Sequence, residues 1–293
     1  MKRITGRWPD FMIIGAARAG TTTLYTHLCR HPQVFMCDPK EPFFFSHESA
    51  RARGEVWYKS LFTKCTKNQI CGEASTSYAS WPQCGDVAGG IAQAIPNVKL
   101  IYIMRHPVDR AYSHYDYFFH MNFSHMMEKK MSFEEALECD KRFVNESMYM
   151  MQIKQYLRYF SRESLLPLLL DDLATNPSKT VSKVWQFLGI TACPLEDSSC
   201  TANTGEEHYI RLQTTQRLRT IPGMSQVADV LPRSWREGAF RLIRLSPVGR
   251  YIAKRDKLRP MRPETRQRLL RLFKQSNHEL AAFLNRDLAS WFD

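Results

Sequence analysis

The sequence predicts a single α/β domain over residues 1–293, with a P-loop-like central parallel sheet flanked by helices on both faces. Three observations predict it. Short apolar runs alternate with helix-forming stretches along the chain, the pattern of a parallel sheet covered on both sides. The first run leads directly into two glycines at phosphate-loop spacing. A later run, Val98-Lys99-Leu100-Ile101-Tyr102-Ile103-Met104, is rich enough in apolar and β-branched residues to be a buried strand.

In chain order, Phe11–Ile14 is the first strand, Gly15–Gly20 the loop, and Thr21–Arg30 the helix behind it, stopped at His31-Pro32 because proline disfavours helix in the residue before it. Ile70-Cys71 opens a second strand into Gly72-Glu73-Ala74-Ser75-Thr76-Ser77-Tyr78, and Asp86–Ile95 is a helix closed by Pro96-Asn97. The strand over 98–104 runs into Arg105-His106-Pro107, and Pro107 suits the first turn of a helix over Val108–His120. Ser164–Leu170 is a further strand, followed by a helix over Lys179–Leu188 that Gly189 terminates. The stretch Thr191–Gly205 is polar and irregular, Ile221–Pro260 shows no clear pattern, and Pro263–Leu284 returns to helix. No internal repeat or low-complexity segment interrupts the chain.

With 44% hydrophobic and 24% charged residues, the composition is that of a globular protein, and no apolar run approaches the roughly 18 residues of a membrane span. The first ten residues lack the apolar core of a signal peptide. Eight scattered cysteines without a C-x-x-C pair argue against zinc and for free thiols in a reducing compartment, so a cytoplasmic location is expected. The alternative is a trimmed luminal domain with a Cys193–Cys200 bridge and glycans at Asn122 and Asn145. A net charge of +12 points to anionic partners. Much of the excess lies in the last third, including Arg255, Lys257, Arg259 and Arg262, either as an acceptor-attracting patch or as solvated helix faces.

Gly15 and Gly20 keep the spacing of the nucleotide loop G-x-x-x-x-G-K-[ST], but Thr21 stands where its lysine belongs, and a cation appears instead at Arg18. Backbone N–H groups at the start of the following helix suit an anion. An Mg-nucleotide enzyme keeps an aspartate at the end of the central strand; here that strand ends in Arg105. The site is thus expected to hold an anion with cations and backbone, without a metal. Arg105 and Ser113 would converge on one phosphate, while Arg110 is expected in a surface ion pair. Rival readings are a P-loop kinase of small molecules and a non-catalytic polyanion-binding module.

Four segments together carry a resemblance: Gly15–Tyr25 (GAARAGTTTLY), Lys40–Phe45 (KEPFFF), Gly72–Tyr78 (GEASTSY) and Arg105–Ser113 (RHPVDRAYS), with Leu288-Ala289-Ser290-Trp291 at the C-terminus. In this order the chain resembles sulfotransferases that use 3′-phosphoadenosine 5′-phosphosulfate (PAPS), among them heparan and chondroitin sulfotransferases and bacterial relatives. The resemblance implies that Arg18, Ala19, Gly20, Thr21, Thr22 and Thr23 bind the 5′-phosphosulfate and that Arg105 and Ser113 grip the 3′-phosphate. It implies Glu41 as general base on a hydroxyl or amine acceptor, with Arg18 also stabilising the leaving group. His47 and His114 are rival bases, and pairing with Lys40 is the other reading of Glu41. Arg211, in the segment from Asn203, matches a variable loop beside the nucleotide. The implied acceptor is a glycan or small metabolite, with no nucleic-acid partner. Two departures stand out. Arg18 replaces the usual lysine, a planar fork in place of a point charge, and Ala74 stands where many glycan enzymes have a lysine.

Overall fold

The computed structural model describes residues 6–120, 131–193 and 260–293. Five parallel strands form one sheet in the order β2-β3-β1-β4-β5. They are β1 (Phe11–Gly15), β2 (Val34–Met36), β3 (Ile70–Ala74), β4 (Lys99–Met104) and β5 (Leu165–Leu169). Helix α1 (Thr21–Cys29) joins β1 to β2; α2 (Glu48–Arg51) and α3 (Gly54–Ser60) precede β3; α4 (Val87–Ala94) precedes β4. Between β4 and β5 lie α5 (Pro107–His120), α6 (Phe133–Cys139), α7 (Arg142–Asn145) and α8 (Tyr149–Tyr156). After β5 come α9 (Leu170–Thr175), α10 (Pro177–Leu188) and finally α11 (Pro263–Leu284).

Alternation along the strands splits the core into two layers. Met12, Ile14, Leu100, Tyr102 and Met104 pack with α4, α8 and the end of α11. Phe11, Ile13, Ile101 and Ile103 face the other way, onto α1 and α10. Each fully buried aliphatic side chain of this kind contributes about 1.5–3 kcal/mol. A third cluster joins α5, α6, α7 and α11 through Val108, Tyr115, Phe133, Phe143, Leu269 and Phe273.

The helices and strands read from the sequence are present, with ends displaced by two residues or fewer. Local signals set their ends. Asp86 caps α4 by accepting from Gly89 N at 3.0 Å, and Gly189 (φ 76°) ends α10, with Ile190 N reaching back to Trp185 O at 3.0 Å. Pro167 lies within β5, and β5 is an edge strand, where proline is tolerated. Strand β2 was not expected, since three residues are too few to show a period. It is defined by its pairing, Val34 to Ile70 and Met36 to Gly72.

Strand β1 is central, with β3 on one side and β4 on the other, so the connections leaving its two neighbours part at its carboxyl end. That is where open parallel sheets place their ligand crevices. Arg211, Asn203 to Gly205 and the segment 221–259 lie outside the described residues. No helix among the described residues is long and apolar enough to cross a membrane.

Candidate active site

The loop after β1 turns through Gly20 at φ 91°, a conformation that side chains rarely adopt, and a Cβ there would lie 2.6 Å from Leu170 Cδ1. Gly20 offers no side chain to cap α1, so the N-terminal turn at Thr21, Thr22 and Thr23 presents its donors without a side-chain partner from the cap. Ala19 is buried, and Ala16 N ties the loop to β4 through Ile103 O at 2.7 Å. The glycine spacing therefore does what the sequence suggested, closing a tight turn that aims a helix start into the crevice.

Arg18 stands in this loop at φ 66°. Its Nε donates to Ser113 Oγ at 3.2 Å, and its guanidinium lies 5.0 Å from the centre of the Tyr117 ring. Ser113 and Tyr117 share one face of α5, four residues apart. Ser113 thus meets Arg18 directly. Arg105, at the end of β4, has its backbone clasped by Tyr149, whose hydroxyl donates to Arg105 O at 2.7 Å and accepts from Arg105 N at 3.2 Å. Its half-buried guanidinium has no hydrogen-bond or ion-pair partner among the described residues.

Glu41 approaches the same region. Its side chain is 27% exposed, Lys40 Nζ lies 2.8 Å from Oε1, and Thr76 Oγ1 donates to the same oxygen at 3.3 Å. Pairing with Lys40, the alternative reading of this carboxylate, is thus realised alongside its position at the crevice. Tyr117 links Glu41 to Arg18. Burial pushes its phenol above the usual value, the charge of Glu41 adds to the rise, and Arg18 opposes it. Four non-glycine residues among those described have positive φ, and three of them, Arg18, Glu41 and Phe43, are here. Each such conformation costs on the order of 1–3 kcal/mol and concentrates at functional sites.

One residue near the site differs from expectation. Arg110 is not on the surface; it is fully buried, donating from Nε to Ser147 Oγ at 2.6 Å, from Nη2 to Phe143 O at 2.7 Å, and from Nη1 to Glu146 Oε2 at 3.1 Å. The helix face carrying Arg110 meets α7, and a buried guanidinium persists only where such acceptors surround it. Ala74 is fully buried in the layer under α1, on the face opposite Glu73. Position 74 therefore belongs to the core layer.

Of the rival bases, His114 is buried beside Glu146 and Arg110, and burial foremost keeps its pKa below the ordinary value. His47 is exposed, its ring 4.4 Å from that of Phe43. Glu73 had no role in the sequence reading, yet it is the fully buried carboxylate nearest this chemistry. The signal was a glutamate on a strand followed by Ser75, Thr76, Ser77 and Tyr78, a run of hydroxyls able to solvate it. Among the described residues no cluster of His, Cys, Asp or Glu is arranged to hold a metal ion.

The chain matches the family described as "Sulfotransferase domain" over residues 8–204. It is 29% identical over 187 residues to heparan sulfate glucosamine 3-O-sulfotransferase 6 of Homo sapiens, covering 63% of this chain and 53% of that protein. It is 28% identical over 201 residues to bifunctional heparan sulfate N-deacetylase/N-sulfotransferase 3 of Homo sapiens, covering 63% of this chain and 22% of that one. The match therefore spans about half or less of these relatives' length. The fold is similar to that of a sulfotransferase from Alicyclobacillus acidocaldarius, with a TM-score of 0.69, 23% identity, and coverage of 98% of this chain and 100% of the other. A strand, glycine loop and helix carrying Arg18, placed beside Ser113 on α5 within a family match covering residues 8–204, make this chain a member of the sulfotransferase domain family, a family of enzymes.

Proposed function

We propose that this protein transfers a sulfuryl group from PAPS to a hydroxyl or amine acceptor, a carbohydrate or small metabolite, by in-line displacement with Glu41 as general base. The observation that carries this reading is the convergence of Arg18, Ser113, Tyr117 and Glu41 at the carboxyl end of β1. The residues fit the donor. An uncapped helix start and Arg18 suit the 5′-phosphosulfate, and Arg105, with no ion pair among the described residues, and Ser113 suit a 3′-phosphate. When bound, PAPS supplies a sulfuryl group on a good leaving group.

The chain's own part is positioning and charge. Arg18 and the N–H groups from Gly20 to Thr23 face the oxygens where negative charge develops, preorganised by the turn at Gly20, while the Ala19 N–H closes the loop onto Ala16 O at 3.2 Å. Glu41 takes the proton that the acceptor loses. Its pairing with Lys40 and Thr76 sets where that carboxylate waits. The relatives named for heparan sulfate chemistry favour a glycan acceptor, and the two kinds of transfer in their names, O- and N-, span the hydroxyl and the amine. We take the compartment to be reducing and cytoplasmic on the sequence ground alone, eight scattered cysteines without a C-x-x-C pair. We further take residues 1–293 to be one domain, with Arg211 contributing to the nucleotide site.

Labelled PAPS incubated with heparan sulfate and with a panel of small hydroxyl and amine acceptors tests the proposal. Glu41→Gln should slow transfer by roughly 10²–10⁴-fold, the usual worth of a positioned base. It should leave intact the rise in Tm produced by 3′-phosphoadenosine 5′-phosphate. Near-parental turnover in Glu41→Gln would remove Glu41 from the mechanism, and an equal Tm rise with ATP would remove PAPS.

A further inference from the structure

Glu73, on β3, is 0% exposed and acts only as an acceptor. Oε1 receives the hydroxyls of Tyr58 and of Tyr78, the latter at 2.8 Å, and Oε2 receives Ser75 Oγ at 2.7 Å. A hydroxyl that donates its one proton to Glu73 has only lone pairs left for other partners. Ser75 and Tyr78 both spend them on the segment that carries Glu41. Ser75 Oγ accepts from Phe43 N at 3.1 Å, and Tyr78 OH accepts from Phe45 N at 3.4 Å. Glu41 (φ 65°) and Phe43 (φ 56°) hold conformations that a free chain would leave, so something in the surroundings must hold them.

The geometry points to Glu73 as the positioning residue of this site: its carboxylate takes the protons of Ser75 and Tyr78, turns both hydroxyls into acceptors for the Phe43 and Phe45 N–H groups, and so places Glu41. This inference rests on Glu41 being the base. The arrangement needs an ionised Glu73. A protonated carboxyl brings a hydrogen of its own that must be directed at one of these hydroxyl oxygens, and at Ser75 or Tyr78 it competes with the backbone N–H for the lone pairs. The groups facing the carboxylate are Tyr58 from α3, Ser75 and Tyr78 beyond β3, Cys37 after β2, Tyr156 from α8, and the charge of Glu41. Burial foremost raises the Glu73 carboxyl to about 7, with Glu41 adding and the three hydroxyls opposing. Protonation near neutrality would thus loosen the segment from one side of the site without disturbing the donor loop.

Amide hydrogen exchange reads this directly, with no acceptor required. In Glu73→Gln, exchange at Phe43 and Phe45 should rise at least about tenfold, while β1 amides stay protected and 3′-phosphoadenosine 5′-phosphate still raises Tm. In the parent, corrected for intrinsic rates, the same two amides should lose protection as pH falls below 7. With labelled PAPS and heparan sulfate, Glu73→Gln should lower kcat by about 10–100-fold. The double variant Glu41→Gln/Glu73→Gln should be no slower than Glu41→Gln alone, because Glu73 acts through Glu41. Parental protection at Phe43 and Phe45 in Glu73→Gln, or an additive double variant, overturns the inference. Should Glu73→Gln fail to fold, Tyr78→Phe decides: Phe45 should lose protection while Phe43 keeps it, and no change at Phe45 refutes the relay. Failure of the base assignment is seen separately, as near-parental turnover in Glu41→Gln.

Discussion

Glu73 and Glu146 are both buried carboxylates close to the carboxyl ends of the central strands, and their surroundings drive them in opposite directions. Glu73 is met by hydroxyls, and burial prevails, raising it to about 7. At Glu146 burial works the same way but is outweighed by His114, Arg110 and Ser80, which together bring it to about 2. The contrast shows that hydroxyl donors satisfy a buried carboxylate's lone pairs without compensating its charge, whereas a guanidinium does both. The two sites serve different ends. Glu146 and Arg110 lock α5 to α7 and, through Ser80, to the segment after β3, so the helix that bears Ser113 is fixed at any ordinary pH. The Glu73 cluster, which borders the Glu41 segment, is the one that titrates near neutrality.

The largest expected effect comes from breaking the charged cluster. Glu146→Gln leaves Arg110 buried without its counter-charge, which should destabilise the fold by about 3–5 kcal/mol in urea melts. A loss under about 1 kcal/mol would mean that Ser147, Phe143 O and His114 suffice, and the contrast with Glu73 would collapse.

The next effect has opposite signs at the two carboxylates. Glu146 is displaced downward from its ordinary value near 4.5, so its stabilisation is present above that pH and is lost as pH falls toward 2. Glu73 is displaced upward, so the native state favours its protonated form; that stabilisation is present below 4.5 and lost as pH rises through 7. Each displacement corresponds to about 3 kcal/mol. Melts across pH should show the parent losing stability relative to Glu73→Gln between pH 5 and 8, and the gap between parent and Glu146→Gln closing between pH 5 and 2. Parallel curves for parent and Glu73→Gln would show that Glu73 does not titrate in this range. On this view protonation at neutral pH strengthens the fold while it releases the Glu41 segment.

The smallest effect belongs to the exposed pairs of the basic C-terminal helix. Arg268 meets Glu138 at 3.0 Å and Arg266 meets Asp109 at 3.0 Å, both on solvated faces. Arg268→Ala should change stability by less than about 1 kcal/mol, and less still in high salt. A change above about 2 kcal/mol would show that burial is not the variable separating these pairs from Arg110–Glu146. Of the four residues expected to attract an anionic acceptor, only Arg262 lies among the described residues; its backbone N–H donates to Glu134 Oε1 at 3.2 Å.

Elements whose signals are local were legible in the sequence. The strand at 99–104, the proline-opened helix at 107–120 and the glycine-stopped helix at 177–188 each depend on neighbours within a turn or two, so composition and period suffice. Arg18, Glu41, Arg105 and Ser113 could be singled out as candidates, because motif order picks them. What they touch was not. Arg18 finds Ser113 across 95 residues, and Phe43 finds Ser75 across 32. Arg110 illustrates the same limit, since a charged residue four positions before His114 on an amphipathic helix reads as surface until α7 is laid against it.

The sequence by itself determined the alternation of strands and helices, the glycine turn that opens a helix, and the absence of the loop lysine at Thr21, because backbone conformation and capping are decided by residues adjacent in the chain. The tertiary structure alone decided that β2 pairs at all, that Ala74 faces the layer under α1, that Arg110 is buried against Glu146, and that Glu73 commands the hydroxyls behind Glu41. These depend on distances between segments remote in sequence, and on how much water the intervening packing removes. No spacing along one strand or helix encodes that desolvation, and at Glu73 and Glu146 it is what gives a glutamate its character.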